Sequence, residues 1–206
     1  MRVRSCLDGL MAIPGSIVRG EDWYARDLVN EEFTGVSFID VDMTELTTRG
    51  AVFTDCTFLN VRFNVTQHTE SAFVNCTFRQ CNFFDASFTS CKLQGSVFDR
   101  CDFDLIKVDG GNWSFVSLQG AKLNGTTFTG VRMREVELSK ASCVGATFAG
   151  CDLSGAWMRG TDFTQADLRG SDVSALDPGQ AVVRGAQIDA VQATIIAAAI
   201  GFAVGE

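Results

Sequence analysis

The sequence predicts an all-β solenoid: a square coil of short strands, closed at its C-terminal end by one short α-helix. Three observations predict it. Large apolar residues recur at every fifth position, small residues recur two places before them, and glycine is frequent two places after them. A helix repeats at about 3.6 residues and a flat strand at about 2, so a period of five fits neither. It fits a chain that turns a corner every five residues.

The large series starts at Trp23 and runs without insertion to Val173. Of its 31 positions only Thr48 and His68 are not apolar, and 14 of the 17 Phe residues fall in it. The small series runs from Val36 to Ser171, and all but Leu46 and Ile106 of its 28 positions are Ala, Cys, Ser, Thr, Val or Gly. On a short strand two residues apart point the same way, so each unit sends one large and one small side chain inward. Four units close a turn of about 20 residues, and turns stacked at roughly 4.8 Å make a rod of about 37 Å. Glycine at Gly95, Gly120, Gly125, Gly130, Gly155 and Gly160 suits corners that need a positive φ. Seventeen Phe against one Tyr points to a dry interior in which a phenolic hydroxyl would need a partner.

The ends break the pattern. Residues 1–20 lie outside it and are compatible with an N-terminal cap, a flexible leader or a start-site artefact. The repeat occupies 21–188, with Pro178 in a large slot. Asp189 is placed to cap a helix over 190–200, followed by Gly201, and residues 189–206 form the C-terminal unit. That helix has no charged residue, so it needs cover, and a two-fold contact supplies the same patch from both partners. Ile195, Ile196, Ile200 and Phe202 are the expected dimerisation residues.

The chemistry of conventional sites is missing from the pattern. Six of the eight cysteines, at 56, 76, 81, 91, 101 and 151, sit in the small series at multiples of five, unlike the close pairs that hold zinc. They read as small buried residues, and neither metal nor cofactor is expected. His68 fills a large slot beside Thr66 and reads as a satisfied core imidazole. No nucleophile elbow or phosphate-binding glycine loop occurs, so no catalytic residue is assigned and no enzymatic activity is expected. No secretory signal and no run long enough to span a membrane is seen, and a cytoplasmic location is the default.

The net charge is −8, with 25 acidic and 17 basic side chains, which argues against direct binding to a nucleic-acid backbone. Solubility alone accounts for such a surface; binding to a protein that itself binds nucleic acid is the functional alternative. A 20-residue turn puts Asp22, Asp42, Asp102 and Asp162 in one column, interrupted by Arg62, Asn82, Lys122 and Ser142. Glu45, Asp85, Asp99 and Asp104 fall near it, with Asp109 round the next corner. Asp85, Asp99, Asp102, Asp104 and Asp109 are therefore the expected partner-binding residues.

The units Ala166-Asp167-Leu168-Arg169-Gly170 and Cys151-Asp152-Leu153-Ser154-Gly155 resemble the A(D/N)LXX signature of pentapeptide-repeat proteins. Within that family the chain resembles the actinobacterial fluoroquinolone-resistance proteins of the MfpA (Qnr-like) type. The stretches Glu32-Phe33-Thr34-Gly35, Asn75-Cys76-Thr77-Phe78, Gly95-Ser96-Val97-Phe98, Asp177-Pro178 and Gln192-Ala193 carry that likeness. The resemblance implies a right-handed quadrilateral β-helix and a cytoplasmic homodimer joined at the C-terminal end. It also implies a rod that imitates duplex DNA and binds DNA gyrase, a type II topoisomerase, inhibiting it or protecting it from quinolones or other poisons. The alternative is an interaction scaffold with a different protein partner.

Overall fold

The computed structural model describes residues 14–205. The expectation for residues 1–13 lies outside them. From Gly15 onward the chain is a parallel β-solenoid in which every paired residue sits opposite the one 20 positions later: Phe38 faces Phe58, Phe88 faces Val108, and Phe128 faces Phe148. Three faces carry three-residue strands, as at Ser37–Ile39, Thr47–Arg49 and Val52–Thr54. The fourth is a line of single bridges running from Asp22 through Asp42, Arg62, Asn82 and Asp102 to Val182. The coil starts earlier than the sequence pattern suggests. Ile17–Arg19 already pairs with Ser37–Ile39, with Val18 in the large slot and Gly15 and Gly20 at corners.

The inward series behave as the spacing requires. Phe58, Phe78 and Phe98 stack along one wall with ring centroids 4.7 Å apart and planes within 7°. Neighbouring walls meet edge to face, as in Phe53–Phe58 at 5.7 Å and Phe58–Phe63 at 5.4 Å. Stacking along a wall and edge contacts across corners are both favourable for aromatic quadrupoles, and burying each ring contributes about 2–3 kcal/mol. The small-slot cysteines are buried free thiols, and each Sγ donates to the carbonyl 23 residues earlier and the one two residues earlier. A thiol in this slot thus satisfies itself against the coil below.

The corners show what each turn costs. Every fifth residue from Gly15 to Gly170 has positive φ, and eighteen of these left-handed corners are not glycine. Each such residue costs about 1–2 kcal/mol. What opposes the cost is a hydrogen bond from the corner N–H to the coil above, as from Val65 to Phe84 at 2.8 Å or Glu135 to Ser154 at 3.0 Å. In the third unit before the helix, Asp177–Gln180 forms a turn instead of a strand, and Gly160 N–H reaches Gln180. Pairing resumes at Val182, opposite Asp162.

The C-terminal helix α1, Ala190–Ala199, seals the last coil. Asp189 and Gln192 form a capping box, and the buried Gln192 amide donates to Leu168 O at 2.6 Å and Ser171 O at 2.7 Å. Ser171 O at the top of the rod is thereby paired, and Leu168 O gains a second donor beside Ser171 N–H. Gly201 follows the helix with φ +97°, as a C-terminal stop requires.

Gly111, in the small slot just after the Gly110 corner, is the glycine with least tolerance. It has φ +87°, and a Cβ there would lie 2.1 Å from Cys91 O, whereas one on Gly110 would meet nothing closer than 3.8 Å. Gly111→Ala is expected to lose about 2–3 kcal/mol and Gly110→Ala about 1 kcal/mol. Denaturant melts of the two variants check this; equal losses would refute it.

Candidate functional site

The coil divides the five expected acidic residues among three faces. Asp102 and Asp104 flank Phe103 on the face of single bridges, and Asp85 stands at the corner that ends that face one coil below. These three come together. Asp99 ends the preceding face at Val97–Asp99, and Asp109 ends the following one at Lys107–Asp109. A corner every five residues separates acids that are close in sequence.

The carboxylates also differ in what they already hold. Most aspartates just before a large residue accept the N–H two places on, which closes the turn: Asp22 from Tyr24, Asp42 from Thr44, Asp152 from Ser154 and Asp162 from Thr164. At Asp42 burial opposes ionisation, but the Thr44 hydroxyl and amide and the Arg62 guanidinium outweigh it and hold the carboxyl below the usual range. Asp99 is held low by Arg100 first and by Arg79 after it. Asp85 pairs with Lys107 at 2.9 Å. Among the described residues Asp102 and Asp104 have neither an ion-pair partner nor a turn bond of this kind. With Asp109 on the following face, they are mid-rod carboxylates free to meet an external cation.

Beside them the ladder opens. The bonds expected from Arg100 N–H to Gln119, Phe103 to Lys122, Leu105 to Asn124 and Lys122 to Cys101 are not made at hydrogen-bonding geometry. One coil below, Gln80, Phe83 and Asp85 bond Asp99, Asp102 and Asp104 at 2.8–3.0 Å; one coil above, Gly120, Leu123 and Gly125 bond Ser139, Ser142 and Val144 at 2.7–3.0 Å. Register is kept, with Asp102 opposite Lys122. A cleft of about 320 Å³ lies at the seam, lined by Phe98, Cys101 and Phe103 together with Asp99, Asp102 and Lys122. The Phe83–Phe103 stack is widened to 5.6 Å. The same coil carries two large buried residues, Ile106 in a small slot and Trp113 among Phe rings. Arg100 and Leu105 are the only two of the eighteen non-glycine corners that lack the opposing bond.

The sequence reading missed a group of exposed apolar residues at this place. Val65, Phe84 and Leu105 are 39%, 43% and 55% exposed. The signal was available: Val65 and Leu105 occupy corner positions, where bulky side chains do not belong.

His68 is buried and served on both sides. Thr48 Oγ1 lies 2.9 Å from Nδ1 and Thr66 Oγ1 lies 3.1 Å from Nε2. Thr66 donates to Phe63 O, so its oxygen accepts from Nε2–H, and Thr48 donates to Nδ1. The ring stacks on Phe88 at 4.6 Å. Burial pushes its pKa down to about 3.

At the C-terminal end the expected dimerisation residues separate. Ile195, Ile200 and Phe202 are exposed, with Val191 and Val204 beside them in sequence. Ile196 instead packs against the core and lines a small apolar cleft with Leu168, Leu176, Pro178, Val183, Ala186 and Ile188. No helix among the described residues is long and apolar enough to cross a membrane.

A four-faced parallel β-solenoid with one large and one small inward residue per five defines the class of protein. Residues 81–158 match the family described as pentapeptide repeat region, and residues 146–176 match pentapeptide repeats in eight copies. Together the two matches identify residues 81–176 as pentapeptide repeats, and the solenoid has the form of a pentapeptide-repeat β-helix. Among solved structures it is similar to that of QnrB1, a plasmid-mediated fluoroquinolone resistance protein, with 17% identity over 95% of this chain and 100% of that one and a TM-score of 0.46. It is also similar to HetL, a pentapeptide-repeat protein involved in heterocyst differentiation regulation from the cyanobacterium Nostoc, with 16% identity over 88% of this chain and 90% of that one and a TM-score of 0.40. No curated protein matches the sequence.

The depressed His68 pKa has a consequence for acid stability. The unfolded chain takes up a proton on this residue near pH 6.5 and the folded chain near pH 3, so stability is lost as pH falls through that window. The difference in unfolding free energy between the wild type and His68→Phe should therefore shift against the wild type by about 1.4 kcal/mol per pH unit between pH 6 and 4. Parallel pH profiles in urea melts would show that the imidazole is not buried neutral.

Proposed function

We propose that this protein is a rod that binds a type II topoisomerase, DNA gyrase, in the groove that receives duplex DNA, and so inhibits the enzyme or shields it from quinolones or other poisons. One observation carries the reading. The face of single bridges and its corner hold Asp22, Asp42, Glu45, Asp85, Asp102, Asp104 and Asp162 along a stiff column, against only Arg62, Lys122 and Arg184. Carboxylates at fixed heights on an unbending support offer a basic channel the charge pattern it is built to hold, and long-range attraction steers the encounter. The likeness to the MfpA-type proteins, carried by the repeat signature and the stretches around Phe33, Asn75 and Asp177, names the enzyme.

The working form is a dimer joined through the C-terminal ends. The exposed side chains of Ile195, Ile200, Phe202 and Val204 form an uncharged surface on and beyond α1 with nothing over it in the single chain. A two-fold contact would cover it and lengthen the acidic column on both sides.

A supercoiling assay with purified gyrase, with and without ciprofloxacin, tests the first part. Dose-dependent loss of supercoiling or of drug-stabilised cleavage is expected; no effect on either removes gyrase as the partner. Ile200→Glu/Phe202→Glu should be monomeric by light scattering while keeping the coil intact by circular dichroism. A double variant of unchanged dimer mass would place the contact elsewhere.

A further inference from the structure

We propose that the partner is gripped at one point on the rod, the mid-rod edge formed by Val65, Phe84 and Leu105, and that the partner offers there a small apolar pocket bordered by Lys or Arg side chains. The inference rests on the topoisomerase reading and narrows it from an acidic face to a defined contact.

Three independent observations meet at this edge. The first is apolar exposure in a place where the fold has no use for it. Val65 and Leu105 stand on the same corner column two coils apart with Asp85 between them, and Val65 N–H bonds Phe84 O at 2.8 Å, which ties the two side chains' backbones together. The second is conformation. Val65 has φ +59° and Leu105 φ +63°. Branched residues are rare at such angles, and glycine or asparagine would relieve the strain at no loss of core. Strain kept where the interior gains nothing points to an external role. The third is the seam. Leu105 holds its strained angle without the ladder bond that opposes it at Val65, and the N–H groups of Phe103 and Leu105 are both left over on this face, whose other end, at Arg100, opens into the 320 Å³ cleft.

Charge complementarity identifies the occupant. Around the apolar trio lie Glu45, Asp102 and Asp104; of the cations on and beside that face, Arg62 and Lys107 are tied to Asp42 at 2.6 Å and Asp85 at 2.9 Å, and Lys122 stands opposite Asp102 on the next coil. An apolar tip ringed by carboxylates repels nucleic-acid phosphate and fits a protein surface with a greasy hollow among basic residues. Fully desolvated apolar anchors set how long such a complex lasts, and surrounding charges mainly set how fast it forms.

The test is the variant Val65→Asn/Phe84→Ser/Leu105→Asn, with Leu105→Asn alone as the milder form, compared with Asp102→Asn/Asp104→Asn. Binding to gyrase holoenzyme is measured by surface plasmon resonance, and folding by thermal melting. The apolar variants should melt at or above the wild-type temperature and bind roughly 10–100-fold more weakly for the triple, chiefly through faster dissociation. The carboxamide variant should lose mainly association rate, and its rate should become less sensitive to salt. If the wild type binds and the triple variant binds within twofold of it, the edge is not the contact, and the topoisomerase reading stands without it. A lowered melting temperature of Leu105→Asn would assign the bulky corners to the fold and overturn the proposal. Loss of the dimer in the triple variant would make the edge a self-association surface, with the same result. A wild type that does not bind gyrase ends the broader reading and this one together.

Discussion

Each corner residue must enter the left-handed region and send its N–H to the coil above, and the rest of the molecule follows from that requirement. The turn is the same length every time, so every fourth unit returns to the same face and residues 20 apart coincide. Slipping one residue would expel the Phe wall at 38, 58, 78 and 98 to solvent and bring Ser37, Thr57 and Thr77 inside. A corner that costs about 1–2 kcal/mol is tolerable because it contributes a ladder bond and positions a ring for burial. At Arg100 and Leu105 the bond is missing, and the constraint is met only because the coils above and below hold the chain in register.

That exception coincides with the surface that has the most to offer a partner. The coil with oversized Ile106 and Trp113 inside is the coil with the open seam outside, and Leu105, Asp102 and Asp104 sit on it. There the strands stay in register while four of the ladder bonds between coils are not made. Along the same column Asp22, Asp42 and Asp162 are occupied with their own turns, so an acidic column is not uniformly available charge. Asp102 is available because its turn bond is not made.

Some of the site could be read before any coordinates. Asp85, Asp102 and Asp104 were placed near one another by the 20-residue turn alone, and the helix with its Asp189 cap was evident from an uncharged run ending before Gly201. Asp109 reads from the spacing as lying round the next corner, where it stands, whereas Asp99, read as near the column, ends the preceding face beyond a corner. Ile196 was grouped with Ile195 and Ile200 because all three are apolar; only packing shows that it faces Leu168 and Val183 while its neighbours face outward. Val65 and Leu105 break the corner preference visibly in the sequence, but the inward series, which fixes the fold, carries no sign of them.

The sequence by itself determined the solenoid, its four faces, the identity of the stacked residues and the neutral role of the cysteines, because a period of five permits one way of burying every large side chain. Tertiary structure decided which carboxylates are free, which corners lack their bond and where the seam opens. Those depend on small differences in spacing between coils, set by the summed volumes of side chains that are far apart in the chain and adjacent only in the folded rod.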